Sequence, residues 1–498
     1  MRRFLRFGFW CFVCVGVLIV VLAAAFHLLM QRMPSSYSLT SRPIPPPSPE
    51  QSRSLGGDLD GFGSPYIGHT GSWDGKGGAF AGALKNSAMD TERDMGLRWT
   101  FMPVYWRALE PEGPVDLAQN TPAAWQELDS FVIAAHARGL NVLMQAPVVG
   151  GNAGGPPRWA GRREPGKSAP TNMIALADFA GKLAHRYAPG GTLAQAQGWG
   201  ARYGVRAWEM DNEPEGYFTS WTGQAGDYAE FVTLAAARIK AGDPQAVIVA
   251  PGMASGKNGP SWLEAALDAQ SMKGSPAYRA AAREYSIGPV VDVISIHNYE
   301  GLDSVFGGGS RTIGRIFDEV RGVVEHWEQS HPDASRARKE EYWHTEGNFD
   351  FLGILSSSRR AAWRFQFFTR AFACGIRKVC VMDASPLEQT AVKAYVSTLP
   401  NPFPMIAADR EITVIQGQPV VFRHSDGPKP GDGRVWVIWA AANTGNAEVE
   451  IPVVRPRVTV ISVDGSQQTL EASGGRVRLS LKGDAKMAPG LLVVDRLN

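Results

Sequence analysis

Between residues 60 and 400, apolar runs of five to eight residues alternate with longer amphipathic segments, and this alternation limits the folds open to the chain more than any other feature. The runs Pro65–His69, Leu97–Pro103, Asn141–Pro147, Val205–Asn212, Ala246–Pro251, Val291–His297, Glu341–Glu346 and Lys378–Asp383 read as strands. Helices are expected between them at Thr121–Arg138, Met173–Tyr187, Gly226–Ala241, Thr312–Ser330 and Ser357–Cys374. In the first of these, Trp125, Leu128, Phe131, Val132 and Ala135 recur at spacings of three and four, and Gly139 follows as a stop. Eight strands alternating with helices predict an α/β fold, a (β/α)8 TIM barrel. The rival is an open doubly wound sheet. That fold would advertise a Gly-rich nucleotide loop, and Gly75, Gly77 and Gly78 do not form one.

Beyond residue 405 the texture changes to short β-rich runs separated by Gly, Pro and Asp turns, with no long helical pattern. This predicts a C-terminal all-β sandwich over 405–498, after a barrel over 59–404. At the other end, Phe7 to Met30 contain no Asp, Glu, Lys or Arg. As a helix this stretch is ~36 Å long, enough for a ~30 Å hydrocarbon core. Residues 1–33 therefore read as a cytoplasmic stub and one transmembrane anchor. Arg2, Arg3 and Arg6 orient the rest of the chain away from the cytoplasm. A cleaved signal peptide ending near Ala23-Ala24-Ala25, with a secreted product, is the alternative. Residues 34–58, rich in Pro and Ser, read as a semi-rigid linker.

A formal net charge of +2 provides no basic field, so no nucleic-acid partner is expected. The cysteines Cys11, Cys14, Cys374 and Cys380 have neither metal-cluster nor framework spacing. Buried free thiols are the expectation for the last two, with a Cys374–Cys380 bridge as the alternative. No metal and no cofactor is expected.

The stretch WEMDNEP, Trp208 to Pro214, crowds Glu209, Asp211, Asn212 and Glu213 at the end of the fourth strand. Buried carboxylates are costly, so such crowding calls for a function. Strand alternation places Glu209, Asp211 and Glu213 on one face, with Glu213 at the carboxyl-terminal rim where barrel enzymes keep their chemistry. In the seventh strand the same rule groups Tyr342, His344 and Glu346. The sixth ends in His297-Asn298-Tyr299 at the same rim. Two facing carboxylates suit glycosidic cleavage, one as proton donor and one as attacking group.

These motifs resemble clan A retaining glycoside hydrolases. WEMDNEP is similar to their acid/base segment, Trp343-His344-Thr345-Glu346-Gly347 to their nucleophile segment, and His297 with Tyr299 to the His-x-Tyr after strand six. Gly96-Leu97-Arg98-Trp99, with Trp106, Glu110 and Pro111, resembles family 39, which contains β-xylosidases, α-L-iduronidase and exopolysaccharide hydrolases. The resemblance implies that Glu213 is the general acid/base and Glu346 the nucleophile. It implies further that Asn212 bonds a sugar hydroxyl, Tyr299 orients Glu346 and His297 binds near the cleaved bond. Glu209 and Asp211 are expected to make buried hydrogen bonds. Trp73, Trp106, Trp159, Tyr217, Phe218 and Trp221 are candidate sugar platforms. Two positions depart from the clan pattern: the strand-two arginine is replaced by Phe101, and strand eight ends in Val381-Met382-Asp383-Ala384 without an aromatic. The expected partner is a carbohydrate near the membrane, with exopolysaccharide synthesis or export machinery as a candidate assembly. A membrane-anchored polysaccharide-binding protein without catalysis is the alternative.

Overall fold

The computed structural model describes residues 64–70, 86–149, 154–163, 169–215, 221, 225–254, 259–268, 287–288, 290–301, 312–332, 341–348, 355–382, 384–427, 432–484 and 487–496. The expected anchor and linker lie outside the described residues. Among the described residues no helix is long and apolar enough to cross a membrane.

The strands are β1 (Ser64–Thr70), β2 (Leu97–Tyr105), β3 (Asn141–Val148), β4 (Ala207–Glu209), β5 (Val247–Val249), β6 (Val293–His297), β7 (Glu341–Glu346) and β8 (Lys378–Met382). Each is followed by a helix: α1 (Asn86–Asp94), α2 (Ala123–Ala137), α3 (Met173–Tyr187), α4 (Ala225–Gly242), α5 (Gly259–Leu267), α6 (Ile313–Ser330), α7 (Ser357–Cys374) and α8 (Pro386–Thr398). All strand pairs are parallel. The sheet closes through β8 on β1 and β5 on β6, so the barrel has no free edge. This is the expected (β/α)8 barrel. The open-sheet alternative is excluded by closure. α1, α5 and α8 were not anticipated. Their apolar faces are short, and α8 is marked chiefly by its capping box, Ser385 with Glu388.

Inward residues of β2 to β7 fill the barrel. Trp99 and Phe101 of β2, Leu143 of β3, Ala207 of β4, Val247 and Val249 of β5, Val293 of β6 and Trp343 of β7 form one buried cluster. At its floor the Lys378 ammonium lies 3.7 Å from the Trp99 ring centroid and 4.8 Å from that of Trp343. Burial lowers the Lys378 pKa to about 7. Outward residues meet the helices: Tyr342 packs edge-on to Phe317 of α6, and His344 to Phe367 of α7.

The C-terminal strands are β9 (Met405–Ala407), β10 (Thr413–Gln416), β11 (Pro419–Ser425), β12 (Arg434–Ala440), β13 (Ala447–Pro452), β14 (Arg457–Ser462), β15 (Gln467–Glu471), β16 (Arg476–Leu481) and β17 (Leu491–Asp495). They form an antiparallel six-stranded sheet, β9-β11-β12-β17-β14-β15, and a three-stranded sheet, β10-β13-β16. β12 shows why its run is apolar without interruption. Trp436 and Ile438 face the smaller sheet together with Val449 and Leu479, whereas Val435, Val437 and Trp439 join the core shared with the barrel helices. Gln366 of α7 donates to the Ala488 carbonyl at 2.8 Å, and Arg359 pairs with Asp484 at 3.1 Å across the same junction. Cys374 and Cys380 are buried free thiols, so the alternative of a bridge is withdrawn.

Candidate active site

The structure corrects the strand-alternation argument at both carboxylates. β4 stops at Glu209. Beyond it Asp211 (φ 67) and Glu213 (φ 38) adopt left-handed backbone, which non-glycine residues rarely do and which costs free energy unless the surroundings impose it. Several contacts impose it here. Asp211 is fully buried and accepts from the Asn212 N–H at 2.8 Å, from the Val149 N–H at 3.4 Å and from the Trp221 indole. The Tyr228 hydroxyl holds the Met210 carbonyl at 2.9 Å. The strained turn, not pleating, aims Glu213.

In β7, Tyr342 and His344 do not share a face with Glu346. They point outward, while Trp343 and Thr345 point inward. The register slips between Ile296↔His344 and His297↔Glu346, so β7 carries one extra residue, Thr345. Such a bulge resets the alternation and turns Glu346 into the mouth.

The two glutamates meet there. One oxygen of Glu213, one of Glu346 and one ring nitrogen of His297 all lie within 4.8 Å of one another. The His297 Nδ1 is 2.9 Å from Glu213 Oε1. The Tyr299 hydroxyl donates to Glu346 Oε1 and also reaches Met382 Sδ at the end of β8. Asn212 Oδ1 accepts from Gln145 of β3 at 3.0 Å, which fixes the amide and leaves its NH2 as the remaining donor group.

Beneath this layer the His297 Nε2 lies 3.1 Å from the Thr345 hydroxyl. That hydroxyl donates to Glu209 Oε1 at 2.7 Å, and the Gly252 N–H donates to the same oxygen at 2.8 Å. Glu209 thus makes the buried hydrogen bonds expected of it. Gly252 must be glycine, because a Cβ there would lie 1.8 Å from His297 Nε2.

The charges are linked. Burial pushes the Glu346 carboxyl up and Glu213 adds to this, while His297 and the Tyr299 bond pull it down. Burial raises Glu209 to about 7. For His297 burial works downward, but the carboxylates of Glu346, Glu213 and Glu209 together hold it up at about 9. At neutral pH the ring is then an imidazolium, with both nitrogens used as donors. A metal ion bound by this trio would have to displace its proton. Tyr105, at the end of β2, is raised to about 12 by burial and then by Glu346 and Asp211, so its phenol stays neutral beside the site.

Trp106 is corrected: it is 0% exposed, donates to Glu110 at 3.0 Å and packs in the core, so it offers no face to a sugar. Trp221 is likewise buried against Tyr228 and Phe231. Trp159 is half-buried, edge-on to Trp106, with its indole N–H on the Glu110 carbonyl at 2.7 Å. Trp73, Tyr217 and Phe218 lie outside the described residues. Sequence reasoning missed Thr345, Gly252, Gln145 and Tyr105. Only Thr345 carried a signal, as the inward neighbour of Trp343.

Solved structures of glycoside hydrolases share this fold. A family 39 glycoside hydrolase from the gut symbiont Bacteroides cellulosilyticus superposes with a TM-score of 0.56 at 15% identity, covering 86% of this chain and 80% of that one. A monomeric β-xylosidase from Caulobacter crescentus gives 0.51 at 14% identity, over 87% of this chain and 96% of that one. A family 51 α-L-arabinofuranosidase from Bifidobacterium longum gives 0.51 at 12% identity, over 92% and 98%. No protein-family model matches the sequence, and no curated protein does.

Proposed function

We propose that the protein is a retaining glycoside hydrolase that cleaves a polysaccharide or oligosaccharide by double displacement. Glu346 attacks the anomeric carbon. Glu213 protonates the leaving oxygen and then, as its conjugate base, activates the water that releases the sugar. The observation that carries this reading is that one oxygen of Glu213 and one of Glu346 lie within 4.8 Å of each other, which puts both carboxylates at one cleft as double displacement requires. The Tyr299 hydroxyl donates to Glu346, which favours the ionised form an attacking carboxylate needs, and His297 holds Glu213 in place through its Nδ1. Asn212, held by Gln145, offers its NH2 to a sugar hydroxyl.

The decisive experiment is a glycan panel assayed on wild type and on Glu213→Gln and Glu346→Gln. Glu213→Gln is expected to lose about 10²–10⁴-fold in turnover and Glu346→Gln at least as much, with binding retained. Proton NMR of the first product should show retained anomeric configuration. Undiminished turnover in Glu346→Gln, or an inverted product, refutes the reading. The same panel tests the non-catalytic alternative, which the loss of the strand-two arginine to buried Phe101 favours: it expects glycan binding with no turnover in wild type.

The uncharged stretch from Phe7 to Met30 supports a single-pass anchor with the barrel outside the cytoplasm, acting on a glycan near the membrane, such as an exopolysaccharide in synthesis or export. A topology reporter fused after residue 60 tests this, and a cytoplasmic signal refutes it.

A further inference from the structure

The loop after β3 and the turn after β2 bring two guanidinium groups together at the rim. Arg107, two residues past the end of β2, donates from Nη1 to the Gly154 carbonyl at 3.2 Å. Arg162 donates from Nη2 to the same carbonyl at 2.5 Å. Two cations that share one acceptor are held within a few ångströms of each other. Both side chains are exposed, as is Arg158 on the same loop, and none of the three makes an ion pair among the described residues. Three of the described acids on the surrounding segments are engaged by other cations: Asp227 and Glu230 by Arg163 at 2.5 and 2.7 Å, and Glu110 by Lys182.

The arrangement is built into the backbone. Gly154 (φ 72) and Gly155 (φ 84) are left-handed, and a Cβ at Gly155 would lie 2.2 Å from Arg162 Nη2. The loop is clamped to the β2 turn by Trp159, through its bond to the Glu110 carbonyl and its edge contact with Trp106 at 5.3 Å between centroids. The β2 end reaches the site, because Tyr105 lies in the field of both Glu346 and Asp211. The β3 end does so too, because the Val149 N–H bonds Asp211.

Like charges placed side by side without a carboxylate repel one another, and a rigid pair of forks matches the oxygens of an anion. We propose that Arg107 and Arg162 form an anion subsite at the barrel mouth and that the glycan bound there is acidic, carrying a carboxylate or a sulfate ester. That the bound glycan is also the one cleaved rests on the hydrolase reading above; the subsite itself does not.

The test uses the full chain bearing Glu346→Gln, so that bound glycans stay intact. Calorimetry compares oligosaccharides matched in sugar and linkage: uronates against their carboxyl-reduced forms, and sulfated glycans against desulfated ones. In at least one matched pair the acidic member should bind about tenfold or more tightly, a gap that narrows as salt rises. Arg107→Ala with Arg162→Ala should erase the gap and leave the neutral member's affinity unchanged. Arg107→Lys with Arg162→Lys, which keeps the charge and loses the forks, should retain part of it. The arm that responds separates carboxylate from sulfate. No acidic preference in any pair, or a preference that survives the double alanine variant, overturns the proposal. Turnover measured separately on wild type decides the hydrolase reading, so the two can fail independently.

Discussion

At the scale of single residues, the site is a set of charges that set one another. Glu346 depends on Tyr299, whose hydroxyl is the hydrogen bond to its carboxylate. Tyr299→Phe should cost about 1.5–3 kcal/mol, the usual worth of a hydrogen bond to a charged group, read as a fall in kcat/KM with unchanged thermal stability. Glu209 makes a different prediction. Its pKa is raised from 4.5 to about 7 by burial, so the folded state holds this proton more tightly than the unfolded chain. Its contribution is therefore fully present below about pH 4.5 and is lost as pH rises through about 7. His297, raised from 6.5 to about 9, has the same sign: its contribution is present below 6.5 and is lost as pH rises through about 9. The melting temperature should fall across both windows. Glu209→Gln should flatten the first. A wild-type profile flat from pH 5 to 9 would contradict both shifts.

At the scale of elements, the site is made by departures from regular strands. β4 ends early and gives way to left-handed residues, and β7 carries a bulge at Thr345. Pleating alone would have sent Glu346 out among the helices with His344. The other requirement is room. The His297 ring sits directly on Gly252, at the end of the chain segment leaving β5. Gly252→Ala should displace the imidazole from Glu213 while leaving the barrel folded. NMR titration should show the His297 pKa falling towards its ordinary value, together with a loss of activity. An unmoved titration would show that the close approach does not matter. The barrel order was legible in the sequence because each buried strand is a plain apolar run and five of the eight are followed by a clear helix pattern. Glu341–Glu346 and Met173–Tyr187 coincide with their expected bounds. The bulge and the strained turn were not legible, because they arise from pairing with β6 and from contacts to Val149 and Trp221, all distant in the chain.

At the scale of the whole molecule, barrel and sandwich share a core. Val435, Val437 and Trp439 of β12 belong to the same buried cluster as Phe365, Phe368 and Phe372 of α7. Each large apolar side chain stripped of such cover costs about 1.5–3 kcal/mol, a large part of a domain's net stability. Removing residues 405–498 should therefore give an insoluble or unfolded barrel, and with them in place barrel and sandwich should melt in a single calorimetric transition. A soluble, cooperatively folded truncation would show the interface to be dispensable. The sequence by itself determined the alternating architecture, the change to β texture near residue 405 and which two glutamates come together at the barrel mouth, since periodicity and motif are local properties of a chain. Only the tertiary structure decided that Trp106 and Trp221 are core rather than platform, that Thr345 and Gly252 join Glu209 to His297, and that two arginines converge on Gly154. Each of these depends on which distant segments touch, and that is set by closure of the sheet rather than by any neighbour in sequence.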